Sequence, residues 1–570
     1  MTQLEATAAE RRSARVGLSW FQRTFTGRRG RHVREYLTGY FMILPAAVLI
    51  FMFGIFPVGF ALYVSLHNWR LVRGDFIGLT NFVRAVDALA YIFFFAIAIG
   101  ALVGVWFILK RIRNQAQQNK DLPWLLALPA ALYAATIFSF LRWFLLLLPQ
   151  VLDIPDKMRG LDRTRELFLQ FLGEAFRSET VVHAFWLFIG LILGSIFIAI
   201  LIGRFRRHPR QFSYQALFTI AWLLAVTGPF LLWFTYSQAI EAYRVALENG
   251  TDPDIWPQVI TIGSGVLLLV LAWFVWRSAE GQTSNRAFWF RILGAIILLV
   301  GGWLLISELP AVIISGDKDM WDGLKVTVFY SLGTVPFQLA ISMFLAILLF
   351  QKMAGSELFR MLYFLPYVTP FVASATVFRQ MFSIRPQAPV NQALKIFGIE
   401  PLAWIQEPKG IFQLLENSIG LDVPAWAVGP SLALVVIMIY SIWVFVGYDT
   451  VIYLAGLGNI STELIEAAEI DGAGRWQIFR QIIFPLLSPT TYFLTLIAII
   501  GTFKAFAHIY VMRHEFSLGT VDTFSVTIFL EFFDKTRFGY ASALAFVLFA
   551  IILFLTLINN RIQGTRVFYG

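Results

Sequence analysis

The sequence predicts an all-α polytopic membrane protein with about twelve transmembrane helices. Three observations carry that expectation. Of 570 residues, 58% are hydrophobic and only 14% charged, where a soluble chain carries roughly 25% charged residues. The mean hydropathy is +0.70, and the apolar surplus runs along almost the whole chain. Stretches of about 20 apolar residues, enough to cross a hydrocarbon layer about 30 Å thick, recur between residues 37 and 559. This composition excludes a soluble enzyme. It also excludes disorder, which needs low hydrophobicity and high charge density.

The elements follow in order. Residues 1–36 form a basic tail (Arg11, Arg12, Arg15, Arg23, Arg28, Arg29, Arg31, Arg34), too long and too polar for a cleavable signal peptide. Apolar runs then fall at 37–66, 91–110, 123–148, 181–203, 214–236, 258–276, 287–307, 325–351, 358–382, 430–455, 490–512 and 537–559. In lipid each must be a helix, because no water satisfies an open backbone. With the N-terminus inside, the basic loops 110–120 and 204–210 fall on the cytoplasmic side. Acidic residues concentrate on the other, as the positive-inside rule requires. Both termini are then cytoplasmic. Small residues four apart at Gly100/Gly104 and Gly190/Gly194 suit close helix packing.

The chemistry available is narrow. There is no cysteine and the six histidines are scattered, so thiolate chemistry is excluded and no HExxH metal pair occurs. No phosphate-binding GxxxxGK[ST] loop is present, so the chain is not expected to bind and hydrolyse ATP itself. The net charge of +10 is accounted for by membrane-orienting loops, and nucleic acid is not expected as a partner.

One cytoplasmic loop stands apart: GLGNISTELIEAAEIDGAGRWQIFRQIIFPLLSP, 456–489. It is long, and it carries Glu463, Glu466, Glu469 and Asp471 on the side where acids are scarce. Ser461 or Thr462 can cap a first helix whose positive end suits Glu463. Gly472 and Gly474 permit a turn. A second helix should follow with Trp476, Phe479 and Ile483 on one face, and Pro485 and Pro489 lead into the next span. The small Ala467 and Ala468 would let another protein's backbone approach. Composition by itself better suits an amphipathic helix lying on the lipid.

A resemblance reverses that preference. Glu466-Ala467-Ala468, Gly472 and Ile482-Ile483-Phe484-Pro485 at these spacings resemble the EAA loop of importer permeases in the ATP-binding cassette (ABC) superfamily. The string EAAEIDGAGRWQIFRQIIFPLLSP is similar to the carbohydrate-uptake branch's EAAxIDGAxxWQxFxxIxLPLLxP, with Phe484 replacing Leu. FPVGFALYVSLHNW (56–69), FIGLTNF (76–82), FRMLYFLPYVTPFVASATVFRQMF (359–382), APVNQALKIFG (388–398) and FGYASALAFVLF (538–549) extend the likeness. WDGLKVTVFYSLG from Trp321 does so too, with Val326 at a usual Asn. The branch's Gly-Gly-Gly-Pro stretch is replaced by RHEFSLG (513–519).

The resemblance implies a six-helix permease core with a six-helix insertion after its first span. The map is a basic cytoplasmic tail (1–36), the first core span and external segment (37–88), a membrane-embedded insertion (89–319) and the remaining five core spans with the loop (320–570). An insertion with an even number of spans keeps the later core helices correctly oriented; three hairpins are expected. The maltodextrin-permease branch has a comparably embellished first half. Coupling to the ATPase is implied for Glu466, Ala467, Ala468, Asp471, Gly472 and Pro485. The implied partners are a second permease, two copies of an ABC ATPase that bind ATP and magnesium, an external sugar-binding protein, a sugar or oligosaccharide, and membrane lipid. This chain would hold no cofactor of its own and sit in a prokaryotic plasma membrane.

Charges inside spans are costly and tend to face a cavity or a partner. Lys504 and Asp449 are such charges, beside Tyr448, Phe503, Phe506 and His508. Aromatic faces suit a sugar ring, and Tyr, Lys and Asp can bond its hydroxyls. Lys504 and Asp449 could instead pair with each other or with the partner permease. Arg142 lies near a span end and can snorkel. The competing functions are a self-sufficient secondary transporter and a polytopic lipid-linked glycosyltransferase, for which Asp153/Asp156 would be the acidic pair.

Overall fold

The computed structural model describes residues 27–205, 211–250, 255–279, 285–351, 355–414, 423–424 and 427–563. Most of the basic tail and most of the 204–210 loop lie outside them. Among the described residues the only β pairing is two isolated bridges, His67 with Phe76 and Gly410 with Ser431; the rest is helix and connecting turns. Ten helices among the described residues are long and apolar enough to cross a membrane, and two bent pairs raise the number to as many as twelve. The contacts divide the chain at Ser65/Leu66 into two units.

The described residues of the first unit form one continuous helical run: α1 (Gly27–Ile50), a π turn (Phe51–Ile55) and α2 (Phe56–Ser65). Its apolar side chains point outward all round: Phe41, Met42 and Phe53 are each about three-quarters exposed. A helix apolar on every side is a membrane helix.

The second unit opens with α3 (Thr80–Val86) and α4 (Leu89–Asn119). Next come α5 (Ala127–Leu152), the amphipathic α6 (Arg165–Arg177), α7 (Glu179–Phe205), α8 (Gln211–Glu248), α9 (Ile255–Ala279) and α10 (Asn285–Ser315). The six long inserted helices do not pack as three successive pairs. Helix α4 packs on α8 and encloses the α5–α7 pair, whose members are successive long helices, and α9 pairs with α10. Small residues decide the pairing. A Cβ on Gly228 would lie 2.9 Å from Leu102, and one on Gly104 3.2 Å from Leu224, at the α4–α8 contact. Gly265 and Gly301 bring α9 and α10 together with each backbone against the other. Gly190 and Gly194 meet nothing within 4 Å; their spacing marks no contact here.

The rest of the unit comprises α11 (Lys318–Phe350), α12 (Ser356–Val368), α13 (Phe371–Met381), α14 (Pro389–Ile396), α15 (Leu432–Gly458), α16 (Thr462–Ile470), α17 (Ser488–Phe503), α18 (Ala507–Met512), α19 (Phe524–Phe533) and α20 (Phe538–Gln563). The run expected as one span over 358–382 is broken by 95° between α12 and α13. Pro370 is the cause: it lacks an N–H and drives Thr369 out of the helical region, to ψ 136°. Helices α11 and α15 run parallel and form the centre, with α12 crossing so close at Gly447 that a Cβ there would occupy the position of the Tyr363 carbonyl. Two charged clusters tie the opposite end from the 456–489 loop. Buried Glu531 accepts from Lys535 (2.7 Å) and Arg537 (3.4 Å), and Lys535 also reaches Asp319 (3.2 Å). The bond to Glu531 holds the Lys535 ammonium above its ordinary range. In the 513–519 loop, Arg513 grips Asp522 through two nitrogens, at 2.6 and 3.1 Å.

Candidate functional site

The 456–489 loop is built by local signals. Ser461 Oγ accepts from the Glu463 N–H (3.2 Å), capping α16, with Glu463 in the positive first turn. The far end is a Schellman closure. The Gly472 N–H reaches the Glu469 carbonyl, the Ala473 N–H reaches that of Ala468, and Gly472 sits at φ +82°. Only glycine holds that conformation without strain. Gln477 Oε1 then accepts from the Gly474 N–H (2.8 Å), starting the next segment.

That segment is not the continuous helix expected. It is one turn (Arg475–Ile478), a π turn (Phe479–Ile483) and a short turn (Phe484–Leu486), bent by 62° from α17. Trp476 is 68% exposed with its ring 5.3 Å from that of Phe479 between centroids, while Phe479 and Ile483 pack inward near Tyr453, Leu457 and Leu487. Pro485 lies in the first turn of its short helix, where its missing N–H costs nothing.

The result is a bracket with two faces. The inner face is anchored on α15 and α17. The outer face presents Leu464, Ile470 (86% exposed) and Trp476 among exposed Glu463, Glu466, Glu469 and Asp471. Ala467 is exposed and Ala468 half-buried beside them. Large apolar side chains ringed by charge on a loop are the pattern of a protein-docking surface.

The intramembrane residues do not converge as a single constellation. Asp449 is buried and its Oδ2 accepts from Gln338 Nε2 (2.6 Å). Among the described ion pairs, none joins it to Lys504. Lys504 is exposed and closes α17 as its C-cap, at a break before α18 rather than mid-helix. Phe503 is buried with Met320, Phe524 and Tyr540. Tyr448 is half-buried and stacks on Tyr367 (4.6 Å between centroids), and Phe506 lies between Tyr510 and Phe529. His508 is buried, with Nε2 2.9 Å from the Tyr330 hydroxyl and 3.2 Å from Ser441 Oγ. Tyr448, Lys504 and Phe506 thus keep accessible surface, while Asp449, Phe503 and His508 are packed.

Sequence reading missed a polar stripe along α11: Thr327, Ser331, Thr334, Gln338 and Ser342, all buried. Thr327 Oγ1 accepts from the Phe524 N–H, Ser331 Oγ from Thr502, and Ser342 Oγ donates to the Val446 carbonyl. The signal was present as polar residues spaced three and four apart within an apolar run, one face of a helix. The stripe binds α11 to α15, α17 and α19 at once.

Comparison with known proteins bears on this half of the chain. Residues 338–566 match the family described as binding-protein-dependent transport system inner membrane component. A probable ABC transporter permease of Pyrococcus horikoshii is 32% identical over 42% of this chain and 75% of its own length. The lactose transport system permease LacF of Rhizobium radiobacter is 31% identical over 43% of this chain and 76% of its own. A crystal structure of a bacterial ABC transporter importing alginate aligns over 48% of this chain and 95% of its own, at 20% identity and a TM-score of 0.37. The bracket between α15 and α17 lies wholly within the matched residues. By these sequence matches, the chain belongs to the family of binding-protein-dependent transport system inner membrane components, the multi-pass permease subunits of ABC transporters.

Proposed function

We propose that this permease subunit imports a sugar or oligosaccharide, driven by ATP hydrolysed in separate ATPase chains on which the 456–489 bracket docks. The observation that carries the coupling role is the bracket itself: a capped helix and a glycine-closed turn, apolar tips outward, fixed to two membrane helices. A solid connection of this kind passes closure of a bound ATPase to α15 and α17. A second permease completes the path, and two ATPases hold ATP and magnesium. An external binding protein delivers the solute, in keeping with the family's dependence on one. The saccharide class is supported by the lactose relative and by the EAAEIDGAGRWQ string. The division into tail (1–36), first span (37–88), insertion (89–319) and core (320–570), with both termini cytoplasmic, belongs to the same reading.

Alternating access works by rocking of helix bundles around a midplane site, which favours a path along α15 and α17. Tyr448, Lys504 and Phe506 are the residues there able to meet a solute. Asp449, Phe503 and His508 hold their helices in place.

Uptake by proteoliposomes containing both permeases and the ATPase tests this. Labelled sugar should accumulate only with ATP and the binding protein. Gly472→Pro should abolish uptake, because proline cannot adopt φ +82° and removes the N–H that Glu469 accepts. Accumulation without the ATPase would instead establish a secondary transporter.

A further inference from the structure

The α5–α7 pair carries a feature that the importer core does not explain. A groove of about 530 Å³ opens between these helices, lined by Arg142, Leu146, Glu179, His183 and Leu187 among others. The helices run antiparallel: Phe140 meets Phe188 (5.5 Å between centroids) while Trp143 meets Phe185 (5.8 Å).

Arg142 follows Pro123, where the span begins, by about 28 Å at a rise of about 1.5 Å per residue. That is close to the whole thickness of the hydrocarbon layer. With the near boundary set at Pro123, just after the charged Lys120 and Asp121, the guanidinium lies at the far boundary, opposite the basic 110–120 loop. The groove's other wall gives the same depth, since Glu179 and His183 belong to the first turns of α7. Trp143 and Trp186 stand at this level, where interfacial tryptophans gather.

Arg142 is exposed, and no hydrogen bond or ion pair of its guanidinium occurs among the described residues. Glu179, the acid in the groove, lies 3.7 Å from His183 Nε2 and is itself largely exposed. An unpartnered arginine on a lipid-facing helix calls for an anionic partner. The guanidinium fork matches a phosphate, and a carboxylate one helix away matches an ammonium. Leu146, Ala184 and Leu187 give the groove apolar walls for the glycerol and the start of an acyl chain.

We infer that the α5–α7 groove binds an amine-bearing zwitterionic phospholipid of the phosphatidylethanolamine class, its phosphodiester on Arg142 and its ammonium toward Glu179. The insertion then carries a lipid site of its own, apart from the sugar path.

The full chain, reconstituted in nanodiscs of equal phosphatidylethanolamine, phosphatidylglycerol and phosphatidylcholine and released for native mass spectrometry, provides the test. Phosphatidylethanolamine should be retained in preference to the other two. Arg142→Ala should lower its retention at least tenfold, Arg142→Lys less, and Leu193→Ala, on the exposed surface of α7, not at all. Arg142 has no partner among the described residues, so an unchanged melting temperature is expected and verifies that the variant is folded. Soluble glycerophosphoethanolamine should not displace the lipid. Equal retention by Arg142→Ala, a preference for phosphatidylglycerol, or displacement by the soluble headgroup would each overturn the assignment.

Discussion

Helices α15 and α7 are both apolar enough to span a membrane, yet they are held in different ways. In the most apolar stretch of α15, 67% of residues are buried inside the protein, against 17% for α7. Helix α15 turns Ser441, Asp449 and Thr450 inward, each with a hydrogen-bond partner, and its Gly447 admits the backbone of α12. Helix α7 faces lipid along most of its length, and two of its glycines touch nothing. The position of a core helix is set by backbone approach and polar partners. That of an inserted helix is set mainly by its apolar surroundings and a few aromatic contacts. The core can therefore transmit a displacement that the insertion would absorb.

The sharpest way to break this contrast is to add one methyl group to each helix. Gly447→Ala places a carbon where the Tyr363 carbonyl lies, so α12 must move. We expect loss of monodisperse protein in detergent. Gly190→Ala meets open space and gains helix propensity, so stability should hold or rise by up to about 1 kcal/mol. If both variants behave alike, the difference between the regions is unreal.

A smaller effect is expected at the charged lock between α11, α19 and α20. Glu531→Ala leaves Lys535 and Arg537 without their buried counter-charge. Removing one partner of a buried pair costs about 3–5 kcal/mol, and the partial exposure of both cations (42% and 32%) lowers the expectation to about 2–3 kcal/mol. Thermal melting measures it, with Glu241→Ala, at an exposed pair in the insertion, expected to change stability by less than about 1 kcal/mol.

The least costly test concerns Asp449. Asp449→Asn keeps an oxygen for Gln338 Nε2 and should cost about 1 kcal/mol or less, whereas Asp449→Leu orphans a buried amide and should cost about 1–3 kcal/mol. Uptake assays on both variants add a second reading: transport that follows stability identifies Asp449 as a packing residue. Transport lost in Asp449→Asn with stability intact would return it to the solute path.

Much of the fold could be read from the sequence, because a lipid solvent leaves helices almost the sole choice and the apolar runs count them. The caps of the bracket were legible for the same local reason: Ser461 and Gly472 act within a few residues of themselves. The nested packing of α4, α5, α7 and α8 was not, since it depends on which distant small residue meets which side chain. Nor was the π turn at Phe479–Ile483. The polar stripe from Thr327 to Ser342 was visible as spacing, but its partners on three other helices are a tertiary fact. Lys504 read as a mid-span charge because the break after Phe503 carries no proline or glycine to announce it.

The central claim is that the outer face of the 456–489 bracket holds the ATPase. Glu466→Lys, Ile470→Glu and Trp476→Glu change exposed side chains only, so folding should be unaffected. The most direct measurement is the amount of cognate ATPase that copurifies with each variant of the assembled transporter, normalised to permease and read beside its melting temperature. Retention should fall at least tenfold in Ile470→Glu and Trp476→Glu, and clearly in Glu466→Lys, at unchanged melting temperature. Full retention in all three, with sugar uptake at the parental rate, would contradict it.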